Sequence, residues 1–201
     1  MPKLKKNKGF SIVEMLASIA IFTIITTVVL VGHSKFSGGL LIENLAYDIA
    51  LSIRKAQVFG LSVREFGAGN SEFDVGYGMH FDSASDDLYI FFADKQAPKY
   101  IGYEIGYDDA TENIEIITLG KGNKISKICG ALQGGVEKCS NDADGAITFI
   151  DIIFKRPNPE AIIKSNIQND VYASAKITIQ SPKGTTFDIN TLTTGQISVE
   201  K

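Results

Sequence analysis

The sequence predicts an α+β protein: a long N-terminal helix, membrane-spanning in its first half, whose second half packs on a C-terminal antiparallel β-sheet domain. Three observations predict this. Phe10 to Gly32 is almost wholly apolar or small, and its one charge is Glu14. Leu41, Leu45, Ile49 and Ile53 then recur every four residues, as on one face of a helix. Late in the chain, Ala173, Ala175, Ile177 and Ile179 alternate with Ser174, Lys176, Thr178 and Gln180, as on a strand with one buried face.

The apolar run comes first. At ~1.5 Å per residue, Phe10 to Val31 makes a helix of about 33 Å, enough to cross a bilayer core. Lys3, Lys5, Lys6 and Lys8 precede it and place the N-terminus in the cytoplasm and the C-terminal bulk outside. A secretory signal peptide is the plainer alternative. Its apolar core is usually ~7–15 residues, shorter than this run, and Val31-Gly32-His33-Ser34-Lys35-Phe36 has no clear small-x-small cleavage site. An acid within such a run is costly without a partner, which makes Glu14 a functional residue by default. Its place near a helix N-terminus is favoured by the macrodipole, and a nearby cation would lower its cost further.

The junction reads Lys8-Gly9-Phe10-Ser11-Ile12-Val13-Glu14-Met15-Leu16. It resembles the processing site of type IV prepilins and type II secretion pseudopilins. The resemblance implies cleavage after Gly9 by a prepilin peptidase, N-methylation of the new terminus Phe10, and Glu14 as the membrane-embedded assembly acid. Cleavage would free an amine at Phe10. Within one chain that amine lies one turn from Glu14; between chains it could meet a neighbour's Glu14 and set the axial register. The family favours the second use. The resemblance also implies other pilin or pseudopilin subunits and an inner-membrane assembly platform as partners. The expected location is the inner membrane, single-pass, with the C-terminal domain extracytoplasmic, and then a filament at the cell envelope or surface.

Further along, Phe36-Ser37-Gly38-Gly39 should weaken the helix. An amphipathic helix follows, ending near Gly60, with Glu43, Asp48, Arg54 and Lys55 off the apolar stripe. Gly67-Ala68-Gly69-Asn70-Ser71 reads as a loop. Beyond it the pattern is β. Tyr77, Met79 and Phe81 alternate with Gly78, His80 and Asp82, and Leu88 to Ala93 is apolar on both faces, as in a buried strand. Ile114–Leu119 and Ile125–Ile128 are shorter candidates, and Ile147–Phe154 is a long apolar run interrupted by Asp151. The Gly-rich stretch Gly120–Gly135 reads as an irregular excursion. Turns at Ser181-Pro182-Lys183-Gly184 and Thr194-Gly195 divide the last three runs into an antiparallel meander.

This order of helix and strands resembles the H-type minor pseudopilins of type II secretion and their type IV pilus relatives. The markers are Asn44-Leu45-Ala46, Arg54-Lys55-Ala56, Gly76-Tyr77-Gly78-Met79-His80-Phe81-Asp82, Ile90-Phe91-Phe92-Ala93-Asp94 and the closing Gly195-Gln196-Ile197-Ser198-Val199. The cysteine region and Lys155-Arg156-Pro157-Asn158-Pro159 depart from that pattern. The resulting divisions are a leader (1–9), a transmembrane and assembly helix (10–36), its amphipathic continuation (37–66) and an extracytoplasmic β-rich domain (67–201).

The 201 residues suffice for one modest domain plus an anchor. Removing the four leader lysines from 20 basic residues leaves 16 against 23 acidic ones, a balance of −7. An acidic mature chain argues against a nucleic-acid surface. Cys129 and Cys139 form an even pair; outside the cytoplasm they are expected to make a disulfide stapling a loop, worth ~2–3 kcal/mol. No neighbouring His or second Cys pair favours a metal there. Asn141-Asp142-Ala143-Asp144-Gly145 contains part of a calcium-loop pattern, but its flanks read as strand, and a polar turn explains it with less strain. Major pseudopilins can bind calcium, and the resemblance keeps that possibility without locating a site. No metal or cofactor site is predicted.

Enzyme chemistry is not expected. The two histidines, His33 and His80, have no readable acid or nucleophile beside them, and the chain has no phosphate loop, zinc spacing or serine elbow. Three functions are compatible with these features. A structural filament subunit comes first. A membrane-anchored binding module, an adhesin or DNA receptor, is the alternative. An anchored envelope enzyme comes last.

Overall fold

The computed structural model describes residues 9–62, 75–94, 107, 110–143, 146–167 and 170–201; the side chains of residues 31–38 lie outside this description. Most of the leader and the Gly67–Ser71 loop also fall outside it. The chain forms two compact units, Met1–Leu40 and Leu41–Lys201. One helix, α1 (Ile12–Leu61), is assigned without interruption, including Phe36–Gly39. The two glycines there cost about 1 kcal/mol each, too little to end a helix that propagates from both sides.

In the second unit, Ile42, Ala46, Ile49, Ile53 and Ala56 of α1 are fully buried, whereas Leu41 is 40% exposed. The sequence expects Leu41 on the buried stripe. Four residues overshoot a full turn by about 40°, so a strict four-residue repeat drifts around the helix. Steps of three and four hold the true stripe on one face.

Ten strands follow among the described residues: β1 (Gly76–Asp82), β2 (Leu88–Asp94), β3 (Asn113–Thr118), β4 (Lys124–Leu132), β5 (Glu137–Cys139), β6 (Phe149–Phe154), β7 (Ala161–Ser165), β8 (Tyr172–Gln180), β9 (Thr186–Leu192) and β10 (Ile197–Glu200). They form two five-stranded antiparallel sheets, ordered β3-β2-β1-β6-β7 and β10-β9-β8-β4-β5. The meander β8-β9-β10 stands where alternation places it. An N-terminal apolar helix leading to two such sheets is an α+β, pilin-like arrangement.

The Gly120–Gly135 stretch is more regular than an irregular excursion, and the Ile125–Ile128 strand candidate within it extends to Lys124–Leu132. It holds β4, the longest partner of β8, with Ile125 and Ile128 buried. Gly130 is there for space: a Cβ on it would sit 2.4 Å from the Tyr172 ring. This glycine serves close packing within a strand, not an irregular excursion.

Side chains from the second half of α1 and from both sheets share one buried cluster. Phe59 of α1 packs edge-on against Tyr77 and Phe91, with ring centroids 5.7 and 5.4 Å apart. Lys55 lies over the Phe91 ring at 4.7 Å and pairs with Glu115 of β3 at 2.6 Å. At the helix end, Gly60 touches the end of β6: the Arg156 N–H donates to the Gly60 carbonyl at 3.2 Å.

Candidate functional site

The apolar N-terminal unit is the first site. Gly9, Phe10 and Ser11 precede the helix, and Phe10 is 81% exposed. The Ser11 carbonyl accepts the Met15 N–H at 3.1 Å, which makes Ser11 the residue that starts the helix. Glu14 then occupies the third helical position, and Ser11-Ile12-Val13-Glu14 has the spacing of a capping box. A carboxylate in this first turn is stabilised by the unpaired N–H groups and the dipole, by about 0.3–1 kcal/mol at an exposed site. A Cβ on Gly9 would meet nothing within 4 Å. The fold itself therefore places no steric demand for glycine at this position.

Ile12–Leu30 is long and apolar enough to cross a membrane by length and composition, and none of it is buried. Its four hydroxyls are spent inward: Ser18, Thr23, Thr26 and Thr27 donate to the carbonyls of Glu14, Ala20, Phe22 and Thr23 at 2.7–2.8 Å. The helix surface thus offers large apolar side chains and satisfied hydroxyls, with Glu14 its one formal charge. Such a surface suits lipid or other helices.

Elsewhere the structure reports on the remaining candidates. Cys129 and Cys139 are bonded to each other and face one another directly across β4 and β5. They are buried (0% and 4% exposed), not loop residues on the surface. Glu137 lies close to both sulfurs, but the sulfurs are engaged in the disulfide and Glu137 pairs with Lys176 at 2.5 Å. Asp142 accepts the Cys139 N–H at 2.7 Å, closing the turn after β5. Asp144, Gly145 and the His33 side chain lie outside the described residues.

Sequence reasoning missed one pairing. His80 of β1 and Asp151 of β6 are register partners, and Nδ1 lies 2.6 Å from the carboxylate. Both are buried, and the Tyr107 N–H donates to the second carboxylate oxygen at 3.0 Å. The Tyr107 ring lies 4.4 Å from the imidazole. Burial raises the Asp151 pKa above its ordinary value, while the bonds from His80 and Tyr107 pull it down. The signal was present in sequence: one His and one Asp, each out of place in an apolar strand, are each other's natural partner. Shielded from solvent and capped by Tyr107, the pair ties two strands and the chain leading to β3.

A model of the prokaryotic N-terminal methylation motif matches residues 4–30. No curated protein and no solved structure matches the chain. The motif and the apolar helix together support a type IV pilin-like protein, processed by prepilin peptidase and anchored in a membrane by its N-terminus. They point to a structural subunit that assembles with other pilin subunits, not to an enzyme.

Proposed function

We propose that this chain is a minor pilin or pseudopilin, most like the H-type minor pseudopilins, built into a type IV pilus or a type II secretion pseudopilus. Prepilin peptidase cuts after Gly9 and methylates the amine of Phe10. The anchored subunit then leaves the bilayer, and its apolar helix enters the filament core while the β-rich domain faces outward. One observation carries this reading: the methylation motif spans the Gly9–Phe10 junction and runs into an apolar helix with a single acid in its first turn.

The division of labour follows from chemistry. Gly9 meets a demand from outside the fold, the fit of the scissile bond in the peptidase. Glu14 partners the amine that cleavage creates, and an incoming subunit's amine finds it at the level of the first helical turn. An acid in a lipid-facing helix is costly while uncompensated, so pairing it favours assembly. Small Ala17, Ser18 and Ala20 let neighbouring helices approach closely.

The test separates the two roles. Gly9→Ala should accumulate as uncleaved precursor, whereas Glu14→Ala should be cleaved normally yet stay in the membrane fraction. Wild-type incorporation of both variants into sheared filaments would defeat the proposal.

A further inference from the structure

The second half of α1 carries two stripes. One is the buried face through Ile49 and Ile53, which belongs to the shared core. At ~100° per residue, Leu51 stands about 200° from each of them, on the far side of the helix. Around Leu51, the residues Asn44, Tyr47, Leu51, Arg54, Val58 and Leu61 follow one another in alternating steps of three and four. All are exposed, Tyr47 by 52%, Leu51 by 66% and Val58 by 57%. A repeat averaging ~3.5 residues is the seam of a coiled coil, where each side chain enters a hole on a facing helix. The domain's own core makes no use of this seam, and an exposed apolar stripe on a folded domain marks an interaction surface.

We propose that this seam docks the parallel helix of a different subunit, one that carries the same N-terminal motif. The proposal rests on the filament reading, in which both helices enter the membrane by their N-terminal ends and so run parallel. Charge decides against a second copy of this chain. In a parallel pair, the residue before one seam position faces the partner residue five places further on. That sets Glu43 against Asp48 of a second copy, and Asp48 against its Glu43, acid against acid both times. Neither has an ion-pair partner among the described residues. Arg54 lies in the seam itself and would meet its own copy. Its guanidinium bonds the Gln57 side chain, which is neutral and leaves the charge uncompensated. The helix that fits therefore presents Lys or Arg to Glu43 and Asp48, and an acid to Arg54. Asn44 asks for a polar side chain opposite it, which fixes the register. The seam is short, and anchoring in one membrane supplies the effective concentration that makes it sufficient.

Photo-crosslinking of the full chain in cells tests this. Leu51→Cys supplies a single free thiol, because Cys129 and Cys139 are bonded to each other. The thiol is labelled with benzophenone maleimide, the cells are irradiated, and the adducts are sequenced by mass spectrometry. Adducts should join position 51 to the helix just after the apolar span of another subunit with the methylation motif. Their yield should exceed several-fold that of Val136→Cys, an exposed control before β5. Self-adducts should be minor. The double variant Asp48→Lys, Arg54→Leu removes the repulsion between copies and should raise the self-adduct about tenfold, equivalent to ~1.4 kcal/mol. A yield at position 51 no higher than the control would overturn the proposal. So would self-adducts predominating without the double variant, adducts landing outside a helix, or a double variant with no more self-adduct. Incorporation of the wild-type chain into sheared filaments is scored in the same cells. Incorporation without the position-51 adduct overturns the seam and leaves the filament reading standing; absence of both overturns both.

Discussion

Gly60 and Gly39 lie on the same helix, yet replacing each by alanine should shift stability in opposite directions. An alanine Cβ at Gly60 would stand 2.1 Å from the Phe154 carbonyl oxygen, against 3.4 Å for ordinary contact. The difference, 1.3 Å, is how far the helix end must retreat from β6. Overpacking of this kind costs about 1–3 kcal/mol. Retreat also weakens the bond from the Arg156 N–H to the Gly60 carbonyl, worth about 1 kcal/mol. The gain from replacing a helical glycine offsets up to about 1 kcal/mol. The expected net loss for Gly60→Ala is about 2 kcal/mol. A Cβ at Gly39 meets nothing within 4 Å, so Gly39→Ala keeps only the gain. Urea unfolding of the full chain in nonionic detergent, followed by far-UV circular dichroism, measures both. Equal stability of Gly60→Ala and wild type, or a comparable loss in Gly39→Ala, would refute the reasoning.

Three further outcomes follow from the structure. The Cys129–Cys139 bond closes a separation of 10 residues, so the double substitution Cys129→Ala, Cys139→Ala should cost about 2.7 kcal/mol by loop entropy. Matching urea midpoints for oxidised wild type and the double variant would contradict this. Burial lifts the Asp151 pKa, so the folded protein holds this proton more tightly than the unfolded chain. The stability this group contributes is therefore full below the unfolded carboxylate range and is lost as pH rises through the raised value. Asp151→Asn should flatten that decline, and an unchanged pH profile would count against it. His80→Ala leaves Asp151 buried without its imidazole partner and should destabilise by about 1–3 kcal/mol at neutral pH. A loss below about 0.5 kcal/mol, the size of an ordinary surface change, would show that the pair contributes little.

Local pattern carried much of this architecture. The apolar run, the helix ending near Gly60 and the closing meander are each written in contiguous residues, where period and turn chemistry act directly. What stayed hidden depends on contacts distant in sequence. His80 and Asp151 are 71 residues apart and meet only because β1 and β6 pair in one register. β4 was legible only as Ile125–Ile128; its continuation through Gly130 depends on the Tyr172 ring, which lies on another strand. β7 has five residues after a proline-rich turn, too short for alternation to stand out. At the N-terminus the reverse holds: Gly9, Phe10 and Glu14 stand in one contiguous motif, and the roles proposed for them need no long-range contact within the fold.

Mass spectrometry of the intact protein extracted from cell membranes tests the central claim most directly. The account predicts a mature chain that begins at Phe10 and carries a methyl group on its terminal nitrogen. A chain that begins at Met1, or one that begins beyond Gly32, would contradict it.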